Sequence, residues 1–256
     1  MENEAPMDSV DPTPAAAFEV NGERLVALTA GAAYWPAERA LLVADLHFEK
    51  GTAYARRGVL LPPYDTRTTL RRLSVLIERH RPRTVYSLGD AFHDIDAEAR
   101  MDPEDAGLLQ LLLRRTHWVW IAGNHDPLPP GVAGDICLEA RVGRLRLVHE
   151  PTGATADAEV AGEVAGHLHP CARVLAEGRS IRRRCFATDG RRLILPAFGA
   201  YAGGLNVLDE AYDGMFDGLT AWVLGGRGVY PFSGRKLLSD RRSAPTAADP
   251  RRAAGV

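Results

Sequence analysis

The sequence lacks the features that define several classes of protein. It has three cysteines in 256 residues, Cys137, Cys171 and Cys185, and no CxxC spacing, which argues against a disulfide framework or a zinc ribbon and fits a reducing compartment. No uninterrupted apolar run reaches the length that crosses a membrane. The N-terminal sequence is acidic and proline-rich, whereas a secretory signal is basic and then apolar. We therefore expect a cytoplasmic protein.

An excess of charge of either sign is also missing. The 33 acidic and 31 basic residues give a net charge of -2, so no global charge attracts a nucleic acid or an acidic partner. Any attraction to phosphate must be local. Lysine occurs only at Lys50 and Lys236, and the other basic residues are arginines. Arginine suits bidentate phosphate contacts, although a biased genomic composition explains its excess equally well.

The composition predicts one soluble globular domain between two tails. Hydrophobic residues make up 46% of the chain and charged residues 25%, as in a protein with a sizeable core. Residues 1–17 and 234–256 lack hydrophobic periodicity, so we expect disordered tails around a domain at 18–233. Arg241, Arg242, Arg251 and Arg252 of the C-terminal tail could touch a nucleic acid backbone, although a solvated tail is the preferred interpretation.

Strands and helices alternate in the first half of the chain. The stretch "FEVNGERLVAL" predicts a hairpin that turns at Asn21 and Gly22. "TRTTLRRLSVLIERHR" and "EDAGLLQLLLRRT" have apolar residues at helical spacing, and each precedes an apolar strand. After Pro130 short strands dominate, with a hairpin expected at Asp189 and Gly190. We therefore expect a mixed α/β fold, a β-sandwich with helices packed outside it.

Five apolar runs end in polar residues of the same kinds. Ligands bind at the carboxyl ends of strands in open α/β sheets, so these residues can converge although they lie far apart in sequence. Residues two apart in an extended segment point to the same side, which predicts two pairs of side chains. The candidate residues are Asp45 and His47 in "LLVADLH", Asp90 in "VYSLGD", Asn124 in "WVWIAGNHD", His149 in "RLVHE", and His167 and His169 in "VAGHLH".

Oxygen and nitrogen ligands without a thiolate suit manganese, iron or zinc better than magnesium or calcium. Seven ligands exceed one tetrahedral site, so the simplest arrangement is two metals that share a carboxylate. Each residue alone also fits an ordinary structural role. Asp45 or Asp90 could cap a helix, Asn124 could be a turn residue with a left-handed φ, and His149 could be a buried histidine or a surface residue. The constellation therefore predicts the metal site, and no single residue does.

The order of these blocks resembles a known superfamily. DxH, GD, GNH followed by an acid, a lone histidine and GHxH occur in sequence between Asp45 and His169, as in the calcineurin-like binuclear metallophosphoesterases. The stretches "LGDAFHD" and "CFATDGRRLILPAFGAYAGGLNV" are similar to one branch, the bacterial ligase-associated DNA damage response endonucleases of the PdeM type. The resemblance implies a four-layer fold in which two sheets form a sandwich flanked by helices.

The resemblance also implies an activity. Members of this branch are metal-dependent phosphodiesterases that hydrolyse DNA as endonucleases in DNA repair, and the expected substrate is single-stranded or flexible DNA. A functional link to a DNA ligase and a helicase is implied in the same way. A water shared by two metals would be the nucleophile, and manganese is frequent in such enzymes. The implied ligands are Asp45, His47, Asp90 and His169 for the first metal and Asp90, Asn124, His149 and His167 for the second, with Asp90 bridging.

Three further residues are candidates for catalytic roles. His125 follows a ligand and is placed to protonate the leaving group as a general acid. Asp126 would orient a histidine, or it is a simple turn acid. His93 replaces the aspartate of GDxxDRG in the protein serine/threonine phosphatases, which weakens a phosphoprotein hypothesis. It is expected either beside the phosphate or at the start of a helix. Arginines near strand ends that could contact backbone phosphates are Arg56, Arg57, Arg114 and Arg115.

Two alternative functions stay open. One is a phosphodiesterase of cyclic nucleotides or other small phosphoesters, which would use the same site. The other is a non-catalytic scaffold that keeps the fold. Such scaffolds lose ligands or the histidine of GNH, and this sequence retains both.

Overall fold

The computed structural model describes residues 16–126, 132–152, 162–176 and 178–240. Within these ranges the chain forms sixteen strands, four α-helices and two short 3-10 helices. The strands are β1 (Ala16–Val20), β2 (Glu23–Ala27), β3 (Ala33–Trp35), β4 (Ala40–Val43), β5 (Thr84–Leu88), β6 (His117–Ile121), β7 (Asp135–Cys137), β8 (Glu139–Val142), β9 (Leu145–Val148), β10 (Gly162–Ala165), β11 (Pro170–Ala176), β12 (Arg179–Thr188), β13 (Arg192–Ile194), β14 (Leu205–Asn206), β15 (Thr220–Leu224) and β16 (Val229–Ser233). The helices are α1 (Lys50–Arg56), α2 (Asp65–His80), α3 (Ala97–Arg100) and α4 (Pro103–Arg115), with the 3-10 helices η1 (Glu210–Tyr212) and η2 (Gly234–Lys236).

The strands form two sheets. The first has the order β1-β2-β3-β4-β5-β6-β7, and its last four strands run parallel. The second has the order β14-β11-β12-β13-β10-β9-β8, with β15 and β16 attached beside β12, and β10 runs parallel to both β9 and β13. The expected mixed α/β class with partly parallel strands is confirmed.

The two sheets pack face to face around a shared apolar core. Trp35 and Leu42 of the first sheet belong to the same buried cluster as Leu147, Val164 and Phe186 of the second. Because successive side chains of a strand point to opposite faces, alternate residues of β4 enter this core and the others face the helices. All four residues of β4 are therefore buried, as in a strand covered on both sides.

Helices α2 and α4 cover the outer face of the first sheet, as their periodicity predicts. Leu70, Leu73 and Ile77 of α2 lie in one buried cluster with Val85 and Trp118 of the sheet. Full burial of each such side chain contributes about 1.5–3 kcal/mol. Helix α4 begins with a proline, and the side chain of its N-cap aspartate accepts a backbone N–H, both of which favour a helix start.

The outer face of the second sheet has a different cover. Tyr212 of η1 and the nearby Met215 and Phe216 pack with Val174 and Ile194 of the sheet. A 3-10 turn and irregular chain thus take the place of an α-helix on this side, within the residues that the structure describes. The result is a two-sheet sandwich whose long helices flank one face.

The hairpin expected at Asn21 and Gly22 is confirmed. These residues have φ values of 49° and 79° and join β1 to β2, and positive φ at both central positions defines the tight hairpin turn. The second expected hairpin joins β12 to β13. Three residues, 189–191, separate the two strands, and Thr188 pairs with Leu193.

The C-terminal boundary of the domain lies beyond the one expected from the sequence. Residues 234–240, expected to be part of a disordered tail, pack on the second sheet. Leu237 is buried, and the carboxylate of Asp240 accepts hydrogen bonds from Arg173 and Arg182 at 2.8 Å each. A 3-10 turn anchored by one apolar residue and one carboxylate needs no hydrophobic repeat, which is why periodicity does not reveal it.

The N-terminal boundary also shifts, since β1 begins at Ala16 and not at residue 18. The remaining residues of the two expected tails, 1–15 and 241–256, lie outside the described ranges. In the described ranges, none of the helices combines the length and apolarity that crossing a membrane requires.

Candidate metal centre

The five polar blocks meet at one edge of the sandwich. They follow the carboxyl ends of β4, β5 and β6 in the first sheet and of β9 and β10 in the second. Because the strands within each set run parallel, their carboxyl ends lie side by side, and the face-to-face packing brings the two sets together. The structure thus places all seven candidate ligands in one region.

The first group of donor atoms contains Asp45, His47 and His169, which offer ligand atoms within 4.8 Å of one another. The Nε2 atoms of His47 and His169 are 3.3 Å apart, and His169 Nε2 is 3.3 Å from Asp45 Oδ1. Burial lowers the pKa of His47 far below its ordinary range, with a further contribution from His169. His47 is therefore neutral at physiological pH, which is the form that binds a metal.

The second group contains Asn124, His149 and His167. The amide oxygen of Asn124 is 2.9 Å from His149 Nε2 and 3.0 Å from His167 Nδ1, and these two nitrogens are 3.3 Å apart. His149 Nδ1 lies 3.0 Å from the carbonyl of Leu88. A carbonyl only accepts, so Nδ1 carries the proton and the lone pair of Nε2 faces Asn124.

Asp90 lies between the two groups. Its Oδ2 is 3.9 Å from His47 Nε2 and its Oδ1 is 3.5 Å from His149 Nε2, so each oxygen faces one group. Asp45 is also within 4.8 Å of Asp90 and His149. Asp90 is therefore placed where one carboxylate could contact two ions.

These donor atoms fit a pair of metal ions. Ions held at 2.0–2.2 Å place neighbouring ligands about 2.8–3.6 Å apart, from octahedral to tetrahedral geometry. Most of the distances above fall in that interval. The Nε2 lone pair of His149 also faces the oxygens of Asn124 and Asp90, which is unfavourable without a cation between them.

The backbone at the centre is strained. Nine non-glycine residues in the described ranges have positive φ, and five of them are candidate ligands: Asp45, His47, Asp90, His167 and His169. A left-handed conformation costs of order 1–3 kcal/mol per residue and is typical of functional sites. The left-handed backbone also corrects the expectation that Asp45 and His47, and His167 and His169, lie in extended segments. Each DxH and GHxH pair converges because both ligands are left-handed.

The ordinary structural roles left open by the sequence do not describe the candidate ligands. The N-cap positions of the four described helices are Glu49, Tyr64, Asp96 and Asp102, so neither Asp45 nor Asp90 caps a helix. Asn124 is not among the residues with positive φ. His149 is buried, but its Nε2 faces other donors.

Two glycines make room for the ligands. A Cβ on Gly89, whose φ is 75°, would collide with the imidazole of His149. A Cβ on Gly123 would collide with Asp90 and lie 2.8 Å from Asp126 Oδ1. Gly123 has no positive φ, so it is required for space and not for a turn.

His125 and His93 line a cavity of about 540 Å³ next to the ligands. Their rings stack with centroids 5.1 Å apart. His125 Nδ1 is 3.0 Å from the carbonyl of His93, and the backbone N–H of His125 donates to Asp90 Oδ1. Burial, followed by the charge of Lys50, lowers the pKa of His93 to about 4. Helix α3 starts only at Ala97, so His93 does not begin a helix, and its expected position beside a phosphate stays a prediction.

Asp126 does not orient a histidine in the described structure. Its Oδ2 accepts the backbone N–H of Phe92 at 2.9 Å, and its Oδ1 has no hydrogen-bond partner among the described residues. Burial is the main cause that raises its pKa to about 7. The expected role is corrected: Asp126 holds the backbone of the segment that follows Asp90. Pro127 and the next residues to Gly131 lie outside the described ranges.

The arginines that we expected near the site occupy different places. Arg57 lines the cavity, whereas Arg56 pairs with Asp96 at 3.3 Å. Arg114 and Arg115 end α4 just before the amino end of β6, whose carboxyl end carries the site. The proximity expected for these last two is wrong, because a helix that precedes a strand finishes at the opposite edge of the sheet.

Lys50 is a cavity residue that the sequence analysis missed. It lines the cavity with His47, and it forms no ion pair among the described residues. Burial, followed by Arg184, lowers its pKa. The sequence does contain a feature that could have identified Lys50 as a site residue. It is one of only two lysines in the chain and follows His47 by three residues.

A two-sheet sandwich with carboxylates and imidazoles gathered at its strand ends is the architecture of a metal-dependent phosphoesterase. Residues 38–178, more than half of the chain, match the family model of the calcineurin-like phosphoesterases. The protein belongs to this family of hydrolases, which use divalent metal ions, and the superfamily expected from the motifs is confirmed.

Two solved structures are similar to this chain. The nuclease MPE of Pseudomonas putida is 29% identical with a TM-score of 0.65, and the match covers 85% of this chain and 100% of that one. Yfce, a phosphoesterase from E. coli, is 15% identical with a TM-score of 0.35, covering 76% and 98% of the two chains. No curated protein sequence matches.

Proposed function

We propose that this phosphoesterase is an endonuclease that hydrolyses phosphodiester bonds of single-stranded or flexible DNA with two divalent metal ions. The observation that carries the proposal is the convergence of seven side chains with oxygen and nitrogen donors at one edge of the sandwich, beside the cavity. The similarity to a nuclease over most of the chain supports a nucleic acid as the substrate.

The donor atoms divide between two ions. Asp45, His47 and His169 would hold one ion, Asn124, His149 and His167 the other, and Asp90 would touch both through its two oxygens. Carboxylate, amide and imidazole donors without thiolate suit manganese, with iron or zinc as alternatives. When bound, the ions supply a water of lowered pKa and neutralise charge on the phosphoryl oxygens.

His125 is the proton donor in this proposal. Because its Nδ1 donates to the carbonyl of His93, its Nε2 is the atom free to act on a substrate in the cavity. A protonated Nε2 would give its proton to the oxygen that leaves the phosphorus. His93 stacks on this ring and, being neutral at physiological pH because of its lowered pKa, adds no charge that would expel the proton.

The cavity walls supply charge and apolar surface for a strand. Lys50 and Arg57 line the cavity without a carboxylate partner among the described residues, so both are available to a phosphate. Ile95 also lines it and is 72% exposed. An apolar side chain beside the site suits unstacked bases, which only a single-stranded or flexible substrate offers.

The cellular setting is part of the proposal. The similarity of "LGDAFHD" and of the stretch from Cys185 to Val207 to the ligase-associated endonucleases supports a role in DNA repair that is linked to a DNA ligase and a helicase. The three cysteines without CxxC spacing fit a cytoplasmic location. No further partner is proposed.

Metal analysis coupled to a cleavage panel tests the function. The chelated protein, reloaded with manganese, iron or zinc, is incubated with single-stranded DNA, duplex plasmid, a cyclic nucleotide and a small diester such as bis(p-nitrophenyl) phosphate. We expect about two metal ions per chain and cleavage of single-stranded DNA. Rapid turnover of the small diesters with all DNA left intact would establish the alternative phosphodiesterase and overturn the nuclease proposal.

Matched variants separate a catalyst from a scaffold. Asp90→Asn is compared with Asp135→Asn, whose carboxylate is exposed and, among the described residues, pairs only with His117. We expect the first variant to lose metal and cleavage and the second to keep both. Wild-type cleavage by Asp90→Asn would contradict the assignment of the site.

A further inference from the structure

A second cavity, of about 640 Å³, lies behind the loop that contains residues 197–202. On one side this loop touches the chain of the metal centre, where Phe198 and Gly199 donate their backbone N–H groups to the carbonyls of Ala44 and Asp45. On its other side the carbonyls of the loop accept hydrogen bonds from arginine side chains. The second cavity is therefore a neighbour of the metal centre and separate from it.

Four arginines line this cavity, Arg72 from α2 and Arg182, Arg183 and Arg184 from β12. Arg182 pairs with Asp240 at 2.8 Å. None of the other three has a carboxylate partner in the part of the chain that the structure describes. The cavity wall thus carries three positive charges that no acidic side chain balances there.

These charges are held close together at a cost. Burial lowers the pKa of Arg72 and of Arg184, and the charge of Arg184 lowers that of Arg72 further, to about 10. Both remain cations at neutral pH. Their repulsion is relieved when an anion enters, and the planar guanidinium group is the side chain best suited to a phosphate.

Anchoring of the loop explains only part of the cluster. Arg72 donates to the carbonyl of Phe198 and stacks on its ring, and Arg184 donates to the carbonyls of Ala197 and Ala202 at 2.9 and 2.7 Å. Those contacts stabilise the loop whether or not a ligand binds. Arg183 has no such role, because it is exposed and, among the described residues, its side chain donates a hydrogen bond only to the carbonyl of its neighbour Arg182.

We propose that the arginine-lined cavity is a second anion site of the protein, which binds a phosphate group outside the bond that is cleaved. Under the proposed function, on which this inference rests, the DNA strand supplies that phosphate. A free nucleotide is the other source with the same chemistry. Lys50 of the metal cavity feels the charge of Arg184, so positive charge continues from one cavity to the other, as a strand that spans both requires.

The test measures binding in the presence of a chelator, where no cleavage occurs. The full chain is titrated with a fluorescent single-stranded oligonucleotide at several salt concentrations, and Arg183→Gln, Arg183→Lys and the double variant Arg72→Gln/Arg183→Gln are compared. The control is Arg179→Gln, on the same strand and exposed but outside the cavity. Thermal unfolding of each variant shows that it is folded. In a second arm, 5′-dAMP is added and the rise in Tm is recorded.

One lost phosphate contact lowers the slope of log Kd against log salt by about 0.7 for a single strand. We expect this decrease, with severalfold weaker binding at low salt, for Arg183→Gln and a larger one for the double variant. The slope is expected to be restored in Arg183→Lys, which keeps the charge, and unchanged in Arg179→Gln. Tm protection by 5′-dAMP that is lost in Arg183→Gln, with no change in slope, would identify a free nucleotide as the source.

The inference is overturned if the Arg183 variants match Arg179→Gln in both arms. A failure of the proposed function gives a different result from a failure of the second anion site. If the protein is not a nuclease, the wild type itself neither binds the oligonucleotide nor cleaves it with manganese. In that case the 5′-dAMP arm still decides whether the cavity binds phosphate.

Discussion

Replacing Asp90 with asparagine should raise the stability of the metal-free protein and lower that of the metal-loaded one. The carboxylates of Asp45 and Asp90 are buried and offer oxygens within 4.8 Å of each other. At an effective dielectric constant near 20 their repulsion is about 3 kcal/mol. Asparagine has the same shape and keeps an oxygen for the N–H of His125, so the substitution removes mainly the charge.

The expected shifts follow from that energy. For a domain of this size 1 kcal/mol corresponds to about 2–4 °C in Tm, so Asp90→Asn in chelator at pH 8 should unfold several degrees above the wild type. Manganese at about 100 times its Kd stabilises a protein by about 2.7 kcal/mol per site. The wild type should therefore gain about 10–20 °C from two sites. The variant should gain much less, because it has lost the carboxylate that faces both groups.

Thermal unfolding followed by circular dichroism, with chelator and with manganese, measures both effects. Asp135→Asn is the control and should behave as the wild type in each condition, since its carboxylate is exposed. The reasoning is refuted if Asp90→Asn is less stable than the wild type in chelator and yet gains as much from manganese. That result would mean that Asp90 has a structural role and binds no metal.

Three other predictions concern single residues. His125→Asn should lower kcat on DNA by a factor of about 10²–10⁴, because the leaving oxygen loses its proton donor. Its metal content should change little, and so should its turnover of a diester whose p-nitrophenolate leaving group needs no proton. The control His117→Asn, at the other end of β6, should change neither rate, and equal losses on both substrates would rule out a proton-donor role. Gly123→Ala should destabilise the protein by about 1–3 kcal/mol in urea unfolding, because its Cβ would displace Asp90; unchanged stability and metal content would contradict this. Burial lowers the pKa of His80 in the folded protein. As the pH falls through about 6.5, the unfolded state therefore takes up a proton before the folded state does, and the free energy of unfolding decreases. His80→Gln should flatten the dependence of the unfolding free energy on pH between 7.5 and 5, and an unaltered curve would show that His80 titrates alike in both states.

Much of the fold and the membership of the candidate site follow from local patterns. The helices α2 and α4 and the hairpin at Asn21 and Gly22 arise from periodicity and turn chemistry, which neighbouring residues specify among themselves. The seven candidate ligands could be predicted because aspartate, asparagine and histidine follow the ends of five apolar strands. A capping or turn role explains one such residue, but it does not explain the same residue types at all five strand ends. The packing of residues 234–240 could not be foreseen, since it depends on arginines of β11 and β12 that meet Asp240 only in the folded chain.

The sequence by itself determined which residues stand at the carboxyl ends of the strands, because a strand and the polar residues that follow it are contiguous in the chain. The tertiary structure alone decided how their atoms are arranged. The left-handed backbone of Asp45 and His47, the contact of Asp126 with the Phe92 backbone, and the arginine cavity formed by α2 and β12 all require segments distant in sequence to pack together. Packing energy from the whole sandwich holds these strained and like-charged groups in place, and no local pattern encodes that energy.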